Sequence, residues 1–212
     1  MRIKICGLTR FDQAQAIARL GATAIGFIFV RESPRYLSPE QARQITSHLP
    51  QSLDKIGVFV NQDPQIISQI AQQAGLTGVQ LHGNETPQTC TQLRDYLPGL
   101  EIIKALRIKD SQDLERSQTY ADFVNTLLLD AYHPHLWGGT GHTLDWQTLG
   151  KFTPPCPWFL AGGLNPDNIT QALEQLKPDG VDVSSGVERS PGQKEISKVA
   201  ALIQAIITIE SK

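Results

Sequence analysis

A thiol and a carboxylic acid each stand at the downstream end of an apolar run: Cys6 closes Arg2-Ile3-Lys4-Ile5-Cys6, and Asp130 closes Leu127-Leu128-Leu129-Asp130. A cysteine thiolate is a usable base and a carboxylic acid can return a proton, so together they could move protons on a small ligand. Free cysteine titrates near about 8.5 and free aspartic acid near about 3.9. Work at neutral pH therefore requires surroundings that raise the acid and give the thiol cationic or dipolar help. Lys4, two residues before Cys6 and on the same strand face, is the candidate for that help. Taken alone, each stretch also admits a plainer reading. Cys6 could be a packing thiol, and Asp130 a turn or helix-cap aspartate.

Three glycine-rich clusters follow later in the chain: Gly138-Gly139-Thr140-Gly141, Gly162-Gly163 and Ser184-Ser185-Gly186. Glycine lets backbone N–H groups come close to an anion, and helix N-termini favour negative charge. Since turns need glycine anyway, one pair says little. Three clusters after consecutive strands point to a phosphorylated ligand, with Gly139, Gly141, Gly162, Gly163, Ser184, Ser185 and Gly186 as its contacts. Arg35, in Glu32-Ser33-Pro34-Arg35-Tyr36, is either a solvated charge or a bidentate holder of a second anionic group. His82 reads as a hydrogen-bonded interior histidine at the ligand site, and Asp182 shares that end of the molecule. Asp130, His133 and His135 could be drawn as metal ligands, but their loop is rich in proline and glycine and no metal is assigned. Cys90 and Cys156 are read as structural.

Short β-branched runs alternating with helical periodicity must position these groups. Strands are expected over 2–6, 24–30, 55–60, 78–82, 101–106, 126–130, 158–161 and 180–184. Helices follow each, with starts marked by Ser38-Pro39, Asp63-Pro64, Thr86-Pro87 and Asn165-Pro166, a cap residue before a first-turn proline. The third has the clearest apolar stripe (Ile66, Ile67, Ile70, Ala74), and the fifth, near 110–119, the weakest. Eight strand–helix units imply a parallel sheet, and in about 200 residues they favour an α/β fold of the compact (β/α)8 barrel type. An open doubly wound sheet is the alternative. Alternation along each strand puts Lys4, Cys6, Gln80, His82, Asp130 and Asp182 on the inward face and Ile3, Ile5, Val79, Leu81, Val181 and Val183 on the outward one. Strands one and six lie three places apart round an eight-strand ring, so Cys6 and Asp130 would face each other across one mouth.

The 212 residues carry 19 basic and 21 acidic side chains, a net charge of -2, which suggests neither nucleic acid nor an anionic membrane as partner. No apolar run approaches a bilayer span, and the N-terminus lacks a signal-peptide pattern. Three widely spaced cysteines argue against a disulfide framework. These features lead us to expect a cytoplasmic protein with one domain over residues 1–212. Oligomeric state is left open, a monomer being favoured.

Seven segments resemble the phosphoribosylanthranilate isomerase family. They are Lys4-Ile5-Cys6-Gly7-Leu8-Thr9, Ser33-Pro34-Arg35-Tyr36, Gly78-Val79-Gln80-Leu81-His82-Gly83, Leu128-Leu129-Asp130, Gly138-Gly139-Thr140-Gly141, Ala161-Gly162-Gly163-Leu164-Asn165-Pro166 and Val181-Asp182-Val183-Ser184-Ser185-Gly186-Val187-Glu188. They come in the family's order and spacing, from residue 2 to about residue 195. Departures are small: Arg31-Glu32 stands where lysine is frequent, and Gln193-Lys194-Glu195 replaces a more usual Lys-Lys-Asp. The resemblance implies a small (β/α)8 barrel that carries out a cofactor-free Amadori rearrangement in tryptophan biosynthesis. It also implies that Asp130 protonates the furanose ring oxygen and that Cys6 removes the C2 proton of the resulting Schiff base. Arg35 would hold the anthranilate carboxylate, Asp182 would line the ligand site, and the glycine-rich clusters would take the phosphate. Shared phosphate loops leave another sugar-phosphate isomerase or epimerase as an alternative, and a catalytically silent phosphosugar-binding protein as a third.

Overall fold

The structure, a computed structural model, describes residues 1–131, 146–150 and 153–211. The first two units are β1 (Arg2–Cys6), α1 (Phe11–Arg19), β2 (Ala24–Ile28) and α2 (Pro39–Thr46). β3 (Asp54–Phe59), α3 (Pro64–Ala74), β4 (Gly78–Leu81) and α4 (Pro87–Tyr96) follow. β5 (Glu101–Ile108) and α5 (Ser111–Ser117) lead to β6 (Thr126–Ala131) and the short α6 (Trp146–Leu149). β7 (Trp158–Leu160), α7 (Ile169–Gln175), β8 (Gly180–Val183) and α8 (Ile196–Glu210) complete the ring, with a hairpin of β9 (Glu188–Ser190) and β10 (Gln193–Lys194) before α8.

Strands β1 to β8 pair in chain order, and the parallel ladder from Arg2↔Gly180 to Ile5↔Val183 closes β8 onto β1. That seam excludes the open doubly wound sheet. Local chemistry starts the helices where the sequence indicates. Ser38 and Gln41 form a reciprocal capping box on α2. Asp63 accepts from the first turn of α3, and Thr86 from that of α4. Helix α3 ends on Gly75 at φ 65°, the left-handed conformation that glycine adopts without strain.

Side-chain parity separates two apolar regions. Ile3, Ile5, Val79, Leu81, Leu127, Leu129, Val181 and Val183 pack outward against helix residues such as Ile17, Ile67, Leu93 and Leu202. Inside the ring, Ala24, Ile56, Ile103, Ala105, Leu128, Phe159 and Ala161 form a separate plug. The bore is therefore polar at its two ends and dry between them. At the floor, Arg2 bridges Glu101 and Asp54 (2.6 and 2.7 Å), stacks over the Phe159 ring, and Thr126 also donates to Glu101.

Three local features differ from the sequence reading. Strand β8 stops at Val183, because Ser184 leaves the ladder and a single 3-10 turn (Ser185–Val187) follows. Helix α7 begins only at Ile169, since the Asn165 side chain accepts from the amides of Asp167 and Asn168 and holds a turn there instead. The β9–β10 hairpin was not foreseen, because strands of three and two residues leave almost no periodicity to read.

Burial pushes the Glu101 carboxyl upward, but hydrogen bonds from Arg2 and Thr126, together with the charges of Arg2 and Lys4, outweigh it and hold the group below the usual carboxylate range. A depressed folded value contributes stability that is present at neutral pH and lost as pH falls through that value. Replacing Arg2 by Met should cost about 1.5–3 kcal/mol at pH 7 and flatten the acid-side loss. Urea unfolding between about pH 3 and 7 would measure both effects.

Candidate active site

Above the apolar plug, the C-terminal ends of the strands surround a cavity of about 480 Å³. Cys6, Arg35, His82, Asp130 and Asp182 all border it, as do Gly162, Gly163, Ser184, Ser185 and Gly186. Gly139 and Gly141 lie outside the described residues, and so do His133 and His135 of the metal reading.

Cys6 reaches this mouth because β1 ends there with its side chain inward, opposite Gly26 of β2. A methyl group on Gly26 would sit 2.6 Å from the Cys6 sulfur, so the missing side chain makes the room that the thiol occupies. Burial pushes the thiol's pKa up. Lys4 and Lys194 pull it down, Asp182 pushes it up, and the net direction is upward. Lys4 thus acts in the expected direction without overcoming burial. It is itself fully buried and donates to Asp182 Oδ1 at 2.8 Å. Lys194 is a second cation that the sequence reading did not assign.

Asp130 is 5% exposed at the end of β6. Its Oδ2 lies 3.3 Å from His82 Nε2, but the alignment falls short of a hydrogen bond. His82 Nδ1 and Gln80 Nε2 are 3.0 Å apart, so His82 is the hydrogen-bonded interior histidine that was expected. Gln80 Oε1 and His82 Nε2 are buried without hydrogen-bond partners. Such orphan atoms are uncommon in a finished core, and both residues border the cavity, where a polar ligand could satisfy them.

The glycine-rich loops over β7 and β8 meet closely. Gly162 and Gly163 have φ 88° and 65°, a left-handed pair that turns the backbone toward the cavity. The Asn165 and Asn168 amides both donate to Gly163 O. A side chain at Gly186 would collide with the Leu164 carbonyl, so only glycine permits this approach. Ser184 Oγ donates to Cys6 O at 3.1 Å and ties the eighth loop to the end of β1.

Arg35 lies at the rim with its guanidinium against Glu188 rather than in solvent. Sequence reading missed the roles of Glu188, Lys194, Gln80 and Gly26. An acidic and a basic residue, Glu188 and Lys194, on either side of the Pro191-Gly192 turn are the one signal that could have drawn notice. Gln193, where the chain departs from the family habit, is exposed, and Lys194 beside it is buried.

A closed eight-strand barrel with a cavity of mixed polarity at its C-terminal mouth is the architecture of a (β/α)8-barrel enzyme. Comparison with known proteins specifies which kind. The family profile described as N-(5'-phosphoribosyl)anthranilate isomerase matches residues 3–205. The N-(5'-phosphoribosyl)anthranilate isomerase of Microcystis aeruginosa is 61% identical over 206 residues, covering 97% of each chain. Among solved structures, the phosphoribosyl anthranilate isomerase from Thermotoga maritima is 37% identical with a TM-score of 0.89, covering 98% of this chain and 99% of that one. A second solved structure of a phosphoribosyl anthranilate isomerase, in complex with reduced 1-(o-carboxyphenylamino)-1-deoxyribulose 5-phosphate, is 35% identical with a TM-score of 0.85, covering 98% of this chain and 99% of that one. The chain belongs to the N-(5'-phosphoribosyl)anthranilate isomerase family, enzymes of tryptophan biosynthesis.

Three expectations follow from the surroundings of the thiol. Replacing Gly26 by Ala should displace the sulfur by a substantial fraction of an ångström and lower kcat/KM by about 10²-fold while circular dichroism stays native. Alkylation of Cys6 by iodoacetamide should accelerate only above the midpoint of free cysteine. Lys4→Met should move that midpoint, and the rise of kcat/KM that accompanies thiolate formation, further upward, because it removes a positive charge and unpairs Asp182. An unmoved midpoint would reject the role given to Lys4.

Proposed function

We propose that Cys6 and Asp130 divide the proton transfers of the isomerase reaction between them. The reaction converts N-(5'-phosphoribosyl)anthranilate to 1-(2-carboxyphenylamino)-1-deoxyribulose 5-phosphate, an aldose–ketose rearrangement. Asp130, as general acid, gives its proton to the furanose oxygen as the C1–O bond breaks, which leaves a protonated Schiff base. Cys6, as general base, then takes the proton from C2, and the electron pair moves into the iminium to form an enolamine. Tautomerisation of the enolamine yields the ketone. Because the iminium withdraws electrons from C2, a base of modest strength suffices. It also adds a positive charge beside the sulfur, which favours the thiolate when the bare pocket favours the thiol.

Arg35 holds the anthranilate carboxylate, and Gly162, Gly163, Ser184, Ser185 and Gly186 take the phosphate, joined by Gly139 and Gly141 of the sixth loop. His82 and Asp182 contact the sugar between them. No cofactor enters these steps. The whole chain, residues 1–212, acts as one isomerase domain on a small phosphoribosyl substrate, with neither nucleic acid nor membrane as a partner. A monomer suffices, because one chain supplies every residue named. Three free thiols, Cys6, Cys90 and Cys156, favour the reducing cytoplasm as its location.

The observation that carries this reading is the joint one. A thiol from β1 and a carboxyl from β6, three places apart round the closed ring, border the same cavity as Arg35 and the loops over β7 and β8.

Cys6→Ala and Asp130→Asn should each lower kcat by about 10²- to 10⁴-fold. Both should still bind the reduced product analogue in calorimetry. Wild type should restore growth of a tryptophan auxotroph that lacks this isomerase, and Cys6→Ala should not. Losses under about tenfold at both positions would overturn the assignment.

A further inference from the structure

Arg35 approaches the mouth along a prepared path. Its stem crosses the end of β1 at Gly7, where a Cβ would lie 2.6 Å from Arg35 Cδ. Gly7 also has φ 81°, so both the space and the backbone conformation call for glycine there. The Nε and Nη2 edge of the guanidinium is taken by Glu188, with Nε donating to Oε1 at 3.0 Å and Nη2 to Oε2 at 2.7 Å. Glu188 opens β9, and its side chain is 4% exposed. Its Oε1 also accepts from Lys194 Nζ at 2.8 Å and from the Gly192 amide at 3.1 Å. Thr9, on the loop after β1, donates in turn to Gly192 O at 2.8 Å. The Glu188 carboxylate thus joins the second loop to the β9–β10 hairpin, and Gly192 of that hairpin joins both to the first loop.

Burial pushes that carboxyl up, but the Arg35 hydrogen bond and the Lys194 charge outweigh it, and Glu188 is held below the usual carboxylate range. It is ionised at neutral pH and balances one of the two cations beside it. An arginine side chain has several rotatable bonds but a rigid planar fork. A side-on clamp through Nε and Nη2 fixes the plane of that fork and leaves the Nη1 edge outside the pair.

We propose that Glu188, anchored by Lys194 and Gly192, is a positioning residue that orients Arg35 so that its outer edge meets the aryl carboxylate of the substrate. This rests on the reading of Arg35 as the carboxylate holder. Selectivity for a carboxylated aryl amine over an unsubstituted one would then depend on a residue that never touches the ligand. The network supplies that selectivity by preorganisation: the guanidinium is already immobilised before the substrate arrives.

The test compares kcat/KM for N-(5'-phosphoribosyl)anthranilate and for the aniline analogue, which lacks the carboxylate. Arg35→Met should abolish most of the wild-type preference for the carboxylated substrate; if it does not, the reading of Arg35 fails whatever Glu188 does. Given that loss, Glu188→Gln should lower kcat/KM on the carboxylated substrate by about tenfold more than on the analogue, mainly through KM. Equal losses on both substrates, or none on either, would overturn the proposal. Should Glu188→Gln fail to fold, ¹⁵N NMR of the wild-type enzyme decides. The Arg35 Nε–H signal should keep its hydrogen-bonded shift when the reduced product is bound. A return to the free-arginine shift would mean that the ligand displaces Glu188, and would equally overturn the proposal.

Discussion

The buried ion pair of Lys4 and Asp182 spans the seam where β8 closes onto β1, and the mouth of the barrel is arranged around it. A fully buried ammonium is tolerated only when it is paired and hydrogen-bonded, since its desolvation is otherwise prohibitive. Pairing it across the closure therefore ties the position of one charge to the register of the whole ring. Two residues further along β1 stands the Cys6 thiol, and two beyond Asp182 stands Ser184, which hydrogen-bonds the Cys6 carbonyl. The same seam thus sets the place of the thiol and the starting point of the eighth loop. It also sets the electrostatics, because Lys4 favours the thiolate while burial and Asp182 favour the thiol.

Charge in this barrel is layered, and the layers do different work. At the floor, Arg2, Asp54, Glu101 and Thr126 satisfy one another in a network far from the cavity. A dry plug around Ile56, Leu128 and Phe159 separates it from the mouth. Above the plug the polar groups are less completely used: Gln80 Oε1 and His82 Nε2 are buried without hydrogen-bond partners. Stability is thus concentrated at the N-terminal ends of the strands and unsatisfied polarity at the C-terminal ends, the division of labour general to this architecture. The rim adds a third network, Arg35, Glu188 and Lys194, carried by loops and a small hairpin instead of by the ring itself.

Much of this was legible in the chain, for a physical reason. Whether a residue faces in or out of a strand depends on its own parity, so Cys6, His82, Asp130 and Asp182 could be assigned to the inward face from alternation, and to one end from their places late in their strands. Caps are equally local, and Ser38, Asp63 and Thr86 start their helices as read. Where short-range chemistry competed, reading failed: Asn165 holds a turn, and α7 starts later. The motifs also carried a family resemblance, and it agrees with the fold and the comparisons.

By itself the sequence determined the order of the elements, the inward and outward faces, and which residue types reach the mouth, since each depends on neighbours a few positions away. Only the tertiary structure decided that Gly26 makes room for the Cys6 sulfur, that Gly7 lets Arg35 pass, and that Glu188 clamps Arg35 across 153 residues of chain. Likewise it decided that burial outweighs the two lysines at the thiol. Those outcomes depend on distances and desolvation between segments remote in the chain, and such quantities acquire values only when the ring closes.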